Sequence, residues 1–391
     1  MSDLSFGERN GYIAACSSKE AAIAHDPDER FSPLGGIAKL RALMSAEGLD
    51  AVIIGPSASF RQLLGRDANL TERMVALLVT ADDALIVIPR LQAPLYEHLP
   101  IGRAVWDEHE DPTLVASMLL RERGSRTIGV NREFWSGFLL RLQNHAPDLA
   151  FKTTAALDLM RAIKSPEEVE ALRCAAHQID LVWSRFIDTQ PVLTGKTELE
   201  LRASIQQLMQ DAGFSHVAWV DVGAGHNGAS SLHHGSDYVI RSGDPVVFDF
   251  AGVYGGWYAD ICRVATAGQP EQDYLDAYAV LLEAQEAAFQ AIRVGAPASA
   301  PDAAARDILA ASGYGEAFTH RVGHGIGLDA HEEPYLVRGS NFVLDVGMVM
   351  SDEPGIYLPG RWGMRVEDIV ALTAGGPVRL NQASRSLAIQ K

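Results

Sequence analysis

The sequence is poor in cysteine and has no long apolar run. Its three cysteines, Cys16, Cys174 and Cys262, stand far apart and are odd in number, which favours a reducing compartment over a disulfide framework. No segment approaches the run of about 18 apolar residues that a membrane span needs. The N-terminus lacks the basic start and apolar core of a signal peptide. We therefore expect a cytoplasmic protein without a membrane partner.

Basic residues are also scarce. The chain has 33 Lys and Arg against 50 Asp and Glu, a formal net charge of −17 at pH 7. Nucleic acids and anionic membranes reward a basic surface, so this balance argues against both as partners. A length of 391 residues favours two domains of ordinary size.

Periodicity divides the chain into three parts. Residues 1–33 are polar and show no clear period, so we interpret them as an N-terminal extension. Residues 34–158 alternate short apolar runs such as DAVIIG and ALIVIPR with helical segments. Strands separated by helices indicate a mixed α/β domain with some parallel pairing. The third part, residues 159–391, is predicted to be the second domain.

A helix start marks the opening of that second domain. Ser165 is an N-cap, Pro166 stands at the first helical position and Glu168 completes a capping box. After a second helix that ends at Gly213, the chain turns to strands, with PVVFDF and WYADICRVA joined by a tight turn. The last strands are predicted in VGMVMSDEP and MRVEDIVALT. The overall class is therefore α+β.

Within the second domain, acidic and histidine residues are spaced among apolar and glycine neighbours. An unpaired buried charge costs several kcal/mol, so a cation between these residues is expected. The candidate metal ligands are Asp249, Asp260, His324, Glu353 and Glu367. Four carboxylates are too many for one catalytic zinc, and their charge of about −4 matches two divalent ions. Mn²⁺ or Co²⁺ suits these ligands, and Zn²⁺ is an alternative.

The same stretches carry a family resemblance. NGASSLHHGSD, GDPVVFDF, WYADICR, GHGIGLDAHEEP, EPGIY and RVED stand in the order of the metal-dependent Xaa-Pro peptidases. From about residue 160 the chain resembles the catalytic domain of prolidases and Xaa-Pro aminopeptidases, and its first half resembles their creatinase-type N-terminal domain. Compact bacterial Xaa-Pro dipeptidases are the most similar branch. The resemblance implies a creatinase-type α/β domain followed by a pita-bread domain, whose curved, mainly antiparallel sheet is covered by helices.

The resemblance also implies roles for individual residues. The five ligands would hold two divalent ions, and Glu353 would also shuttle a proton from a metal-bridging hydroxide nucleophile to the leaving nitrogen. Other implied site residues are His233, His331 and Tyr357 as catalytic groups, and His320 and Arg365 in the substrate pocket. Arg361 is added as a candidate for binding the substrate carboxylate. The implied substrate is a small peptide with an Xaa-Pro bond, and the implied assembly is a homodimer.

Several alternatives stay open. His234 adjoins His233, and either could face the metals. The substrate could be a longer peptide, as for an Xaa-Pro aminopeptidase, or a small zwitterionic metabolite cleaved by a hydrolase or lyase of the same fold. Asp352 departs from the family pattern, which usually has an apolar residue before the metal-binding glutamate. A binding module on a dead peptidase fold is disfavoured because all five ligands are present.

Overall fold

The fold comes from a computed structural model in which residues 33–391 are described. The predicted extension of residues 1–33 lies outside this range apart from its last residue. The described part of the chain divides into two compact units, with the boundary between Arg161 and Ala162. Among the described helices, none combines the length and the apolar character needed to cross a bilayer.

The first unit contains a six-stranded sheet with helices on both faces. Its strand order is β4-β3-β2-β1-β5-β6, with parallel pairs β1–β5, β5–β6 and β3–β4, so the predicted parallel pairing is confirmed. Alternate residues of one strand enter different cores: Val52 and Ile54 face one, Ala51 and Ile53 the other. The elements are α1 Pro33–Glu47, β1 Ala51–Ile54, α2 Ala58–Leu64, β2 Ala76–Thr80, β3 Ala84–Pro89, β4 Gly102–Trp106, α3 Pro112–Glu122, β5 Thr127–Val130, α4 Ser136–His145, β6 Ala150–Thr153 and α5 Ala156–Ala162.

The second unit is built from three sheets and four helices. A four-stranded sheet has the order β17-β9-β8-β7, a five-stranded sheet the order β11-β10-β12-β15-β16, and β13 pairs with β14. Every pair is antiparallel except β17 with β9. The elements are α6 Pro166–Thr189, α7 Glu198–Asp211, β7 His216–Ala224, β8 Pro245–Tyr254, β9 Trp257–Ala267, α8 Gln272–Ala291, α9 Ser299–Ala311, β10 Gly323–Gly325, β11 Glu332–Leu336, β12 Val349–Asp352, β13 Gly355–Leu358, β14 Trp362–Arg365, β15 Asp368–Thr373, β16 Gly376–Arg379 and β17 Ala388–Gln390.

Local sequence signals explain how these elements start and turn. The capping box predicted at Ser165 and Glu168 is present at the start of α6. The predicted β8–β9 hairpin is confirmed, and its turn uses Gly255 and Gly256 at φ of 57° and 87°, where residues with a side chain are strained. The prediction of one strand over MRVEDIVALT was wrong: β14 ends at Arg365 and β15 begins at Asp368.

The break between β14 and β15 has a structural reason. Glu367, in the gap, forms an isolated antiparallel bridge with Cys262 of β9, and its backbone N–H donates to the Cys262 carbonyl at 3.1 Å. Between β14 of the two-stranded sheet and β15 of the five-stranded sheet, the chain therefore contacts β9 of the four-stranded sheet. This contact joins the four-stranded and five-stranded sheets at the position of the predicted ligands.

Candidate active site

The predicted metal ligands lie on or beside strands of the four-stranded and five-stranded sheets. They are Asp249 on β8, Asp260 on β9, His324 on β10, Glu353 directly after β12 and Glu367 directly before β15. The glycines that flank His324 allow the backbones to approach closely: a Cβ on Gly323 would lie 2.1 Å from the Ser351 carbonyl oxygen, and one on Gly325 would lie 2.3 Å from that of Glu333. The GHG sequence is therefore required by packing around the histidine.

Three of these ligands form a compact group. Asp260, His324 and Glu367 are buried, and each offers one ligand atom within 4.8 Å of the others. Oδ1 of Asp260 and Oε1 of Glu367 are buried, and neither has a hydrogen-bond partner among the described residues. Burial and then repulsion between neighbouring carboxylates raise the pKa of both groups well above the ordinary range. A divalent cation would satisfy the orphaned oxygens and stabilise both carboxylates in their ionised form, so this donor set fits a metal ion.

Glu353 lies against the histidine of this group. Its Oε1 is 3.1 Å from Nε2 of His324 and accepts a hydrogen bond from Oγ of Ser351 at 3.1 Å. Ser351 in turn accepts from the backbone N–H of His324 at 3.0 Å. Although burial opposes ionisation, the hydrogen bond and the charge of His324 hold the pKa of Glu353 below its usual range. Ser351 therefore links these two predicted ligands and orients both.

Asp249 has a different set of partners. Its Oδ1 accepts from the indole Nε1 of Trp219 at 2.6 Å, and its Oδ2 accepts from Nε of Arg365 at 3.0 Å and also from Nη2 of that guanidinium. Within the described chain, Asp249 does not belong to the three-residue group. To bind a metal it would have to share its carboxylate with Arg365.

Arg365, Tyr357 and His320 form a hydrogen-bonded chain. Nη1 of Arg365 donates to the Tyr357 hydroxyl at 3.0 Å, and this hydroxyl is 2.9 Å from Nε2 of His320. Nδ1 of His320 lies 2.7 Å from the Arg321 carbonyl, which assigns the proton to Nδ1. Tyr357 therefore donates to Nε2. Burial lowers the pKa of His320, which keeps this ring neutral. The structure thus brings together three residues predicted separately.

His331 lies between an aromatic ring and a predicted metal ligand. Its ring is stacked on Trp219, with centroids 5.9 Å apart and planes 14° apart, and it meets His324 edge-on at 4.1 Å. Partial burial of the ring, followed by the neighbouring His324, lowers the pKa of His331 to about 4. At neutral pH the imidazole is therefore uncharged and carries one N–H. A neutral imidazole of this kind can donate a hydrogen bond to an oxyanion.

The two neighbouring histidines have different surroundings. His233 lines a cleft together with Asp249, Tyr357 and Arg365. His234 is exposed, and its Nδ1 lies 2.7 Å from Oδ1 of Asp221. Of the two alternatives left open by the sequence, His233 is the one that lines this cleft.

Two further residues singled out in the sequence lie elsewhere. Arg361 is in the turn between β13 and β14, where its side chain is 52% exposed and pairs with Asp273. It is not among the residues that line the cleft in the described chain. Asp352 is opposite Asp368 in the β12–β15 pair, and neither of its carboxyl oxygens has a hydrogen-bond partner within residues 33–391. Burial and then the charge of Asp368 raise the pKa of Asp352.

Sequence reasoning missed several residues around the site. Asp221 faces Asp249 across the β7–β8 pair, and cross-strand register is not visible in the sequence. Glu198, the first residue of α7, bonds to His233. The sequence gives no distinct signal for Glu198, because an acidic residue in the first turn of a helix is explained by the helix dipole. Trp219 on β7 bonds to Asp249 and stacks on His331, and both contacts arise only in the folded chain.

The comparisons with known proteins cover both units. The model of metallopeptidase family M24 matches residues 170–374, and the model of the creatinase/prolidase N-terminal domain matches residues 37–163. The probable dipeptidase PepE of Mycobacterium tuberculosis is 39% identical over 360 residues, covering 90% of this chain and 95% of that protein. The Xaa-Pro dipeptidase of Pyrococcus horikoshii is 30% identical over 358 residues, covering 90% and 98%.

Solved structures give the same result. The crystal structure of dipeptidase PepE from Mycobacterium ulcerans has a TM-score of 0.86 at 37% identity, covering 91% of this chain and 97% of that one. The recombinant prolidase from Thermococcus sibiricus has a TM-score of 0.86 at 32% identity, covering 92% and 99%. The predicted creatinase-type domain followed by a pita-bread domain is confirmed, and the chain belongs to the metallopeptidase family M24.

Proposed function

We propose that this enzyme hydrolyses the Xaa-Pro bond of dipeptides with two bound divalent metal ions. The observation that carries the proposal is the buried group of Asp260, His324 and Glu367, whose orphaned carboxylate oxygens lie beside Glu353 and near the cleft that contains Asp249. Relatives named Xaa-Pro dipeptidase and prolidase support the substrate class.

The proposed ligands are Asp249, Asp260, His324, Glu353 and Glu367. Bound divalent cations supply Lewis-acid polarisation of a carbonyl and a nucleophile at neutral pH. The identity of the metal is a choice among Mn²⁺, Co²⁺ and Zn²⁺, since all three accept oxygen and imidazole ligands.

The chain's own residues would divide the remaining work. Glu353, which contacts Ser351 and His324, would take a proton from the nucleophile and return it to the leaving nitrogen. His331, neutral and fixed between two rings, would donate a hydrogen bond to the developing oxyanion, which other donors of this kind suggest is worth about 3 kcal/mol. A tertiary Xaa-Pro amide has no N–H to recognise, and none of these roles requires one.

The substrate preference is tested by proline release. Purified enzyme stripped with a chelator and resupplied with Mn²⁺, Co²⁺ or Zn²⁺ would be given Ala-Pro, Ala-Ala and Ala-Pro-Ala in parallel. We expect cleavage of Ala-Pro in preference to the other two. Preferred cleavage of Ala-Pro-Ala would make the enzyme an Xaa-Pro aminopeptidase. If metal binds but none of the three peptides is cleaved, the result would favour the alternative of a hydrolase or lyase that acts on a small zwitterionic metabolite.

The assembly and location belong to the same proposal. We expect a homodimer, as the family resemblance implies, and a cytoplasmic enzyme, as the sparse cysteines suggest. Light scattering tests the first point, and a monomer at working concentration would contradict it.

A further inference from the structure

Glu198 is a fully buried carboxylate at the first residue of α7, with 0% of its side chain exposed. Oε1 accepts from the Ala224 backbone at 2.7 Å and from Nδ2 of Asn227 at 3.0 Å. Oε2 accepts from the backbone N–H of Ser236 at 2.8 Å and from its hydroxyl at 2.7 Å. The fifth partner is Nε2 of His233, 2.7 Å from Oε2. Both oxygens of this buried carboxylate therefore have several hydrogen-bond partners.

These donors determine the protonation of His233. Backbone and amide N–H groups can only donate, so both oxygens of Glu198 act as acceptors. The Ser236 hydroxyl accepts from the Tyr238 N–H at 3.2 Å, which directs its own proton to Glu198. Among the described residues, His233 is the only ion-pair partner of Glu198. The proton on the imidazole therefore belongs on Nε2.

The other ring nitrogen is left for the cleft. Nδ1 of His233 makes no hydrogen bond within the described chain, and the residue lines the cleft with Asp249, Tyr357 and Arg365. Because Glu198 occupies Nε2, Nδ1 is the ring nitrogen of His233 that remains for a hydrogen bond with a substrate in this cleft.

We propose that Glu198 is a positioning residue, which holds His233 with its proton on Nε2 and presents Nδ1 to the substrate. The part that concerns the substrate rests on the proposed function, whereas the protonation of His233 does not. Carboxylates that orient metal-bound histidines provide the analogous arrangement, and their loss costs about 10- to 100-fold in activity or affinity.

The protonation is tested by nuclear magnetic resonance on the full-length, Zn²⁺-loaded protein with isotope-labelled histidine. The signals of His233 would be assigned by their absence in His233→Asn. At mildly alkaline pH we expect a proton on Nε2 in the wild type and in Glu200→Gln, a matched change in the same helical turn. Glu198→Gln should shift the proton toward Nδ1 or make the two forms exchange. A wild-type His233 with its proton on Nδ1 alone would overturn the proposal, whether or not any peptide is cleaved.

The positioning role is tested by kinetics with Ala-Pro. Glu198→Gln should lower kcat/KM by about 10- to 100-fold, and Glu200→Gln should leave it unchanged. At position 233 an asparagine amide mimics Nδ1 and a glutamine amide mimics Nε2, so His233→Asn should retain more activity than His233→Gln. Equal activity of Glu198→Gln and wild type, or better activity of His233→Gln than of His233→Asn, would contradict the proposal. If Glu198→Gln does not fold, the proposal is tested by the protonation of His233 in the wild type and by the activities of His233→Asn and His233→Gln.

Discussion

The indole of Trp219 joins a predicted metal ligand to a predicted catalytic histidine. Its Nε1 donates to Oδ1 of Asp249 at 2.6 Å, and its ring is stacked on His331 with centroids 5.9 Å apart. One side chain on the edge strand β7 therefore fixes a carboxylate and an imidazole that are far apart in the sequence.

Replacing this tryptophan tests the link. Trp219→Phe keeps an aromatic ring for His331 but removes the donor to Asp249. We expect kcat/KM for Ala-Pro to fall by about 10- to 100-fold, as for other hydrogen bonds to metal ligands, together with weaker metal binding measured by calorimetry. Trp135→Phe in the first unit, where Trp135 is stacked on Phe138, is the matched control. Unchanged metal affinity in Trp219→Phe would show that the hydrogen bond from Trp219 to Asp249 does not contribute to metal binding.

A buried ion pair supports the segment after His331. Nζ of Lys164 lies 2.6 Å from Oε1 of Glu332, and both side chains are 2% exposed. Lys164→Met removes the ammonium group 2.6 Å from this buried carboxylate, which should destabilise the protein by about 3–5 kcal/mol. We expect a lower melting temperature by calorimetry. The double variant Lys164→Met/Glu332→Leu should recover part of this loss.

The control for this pair is an exposed one. Arg90 bonds to Asp107 with 68% of its side chain exposed, so Arg90→Met should change the melting temperature little. A loss in Lys164→Met no greater than that in Arg90→Met would show that the buried pair does not hold the segment.

Asp180 gives a prediction for pH. Burial raises the pKa of this carboxyl to about 6, although hydrogen bonds from Gln382 and Asn381 lower the pKa and so oppose the effect of burial. In the unfolded chain its pKa is about 3.9. Between these values the unfolded chain has released a proton that the folded protein retains, so the free energy of unfolding falls as pH rises, by up to about 3 kcal/mol.

Asp180→Asn removes this titration. Its free energy of unfolding relative to wild type, measured with urea, should therefore improve as the pH is raised from about 4 to 6. The exposed Asp188→Asn on the same helix is the control. A difference between Asp180→Asn and wild type that is constant over this range would refute the assignment.

Arg361 remains a candidate for the substrate carboxylate. It is exposed and paired with Asp273, so its guanidinium is accessible but would have to exchange partners. If it binds the free carboxylate, Arg361→Ala should raise KM severalfold for Ala-Pro and leave KM for Ala-Pro amide unchanged. Unchanged KM for both would remove Arg361 from this role.

Local patterns in the sequence were enough to predict much of the fold. The capping box at Ser165 and the β8–β9 hairpin depend on neighbours in the chain, and both were predicted. The break at Glu367 was not, because it depends on a bridge to Cys262 on another sheet.

The same distinction applies to the site. Motif order indicated residues such as His324, and the structure places three predicted ligands together. The contacts of Arg365 with Asp249 and of Glu198 with His233 join residues 116 and 35 positions apart. Such pairs depend on sheet register and on which donors remain unsatisfied in the folded chain, which no spacing rule supplies.

The most direct test of the account is a metal titration followed by activity. Protein stripped with a chelator would be titrated with Mn²⁺ in a calorimeter, and proline release from Ala-Pro would be measured at each point. We predict two bound ions per chain, no proline release from the stripped protein, and hydrolysis that follows metal occupancy. Proline release that persists without metal, or two bound ions with no cleavage of Ala-Pro, would contradict the proposed dinuclear Xaa-Pro dipeptidase.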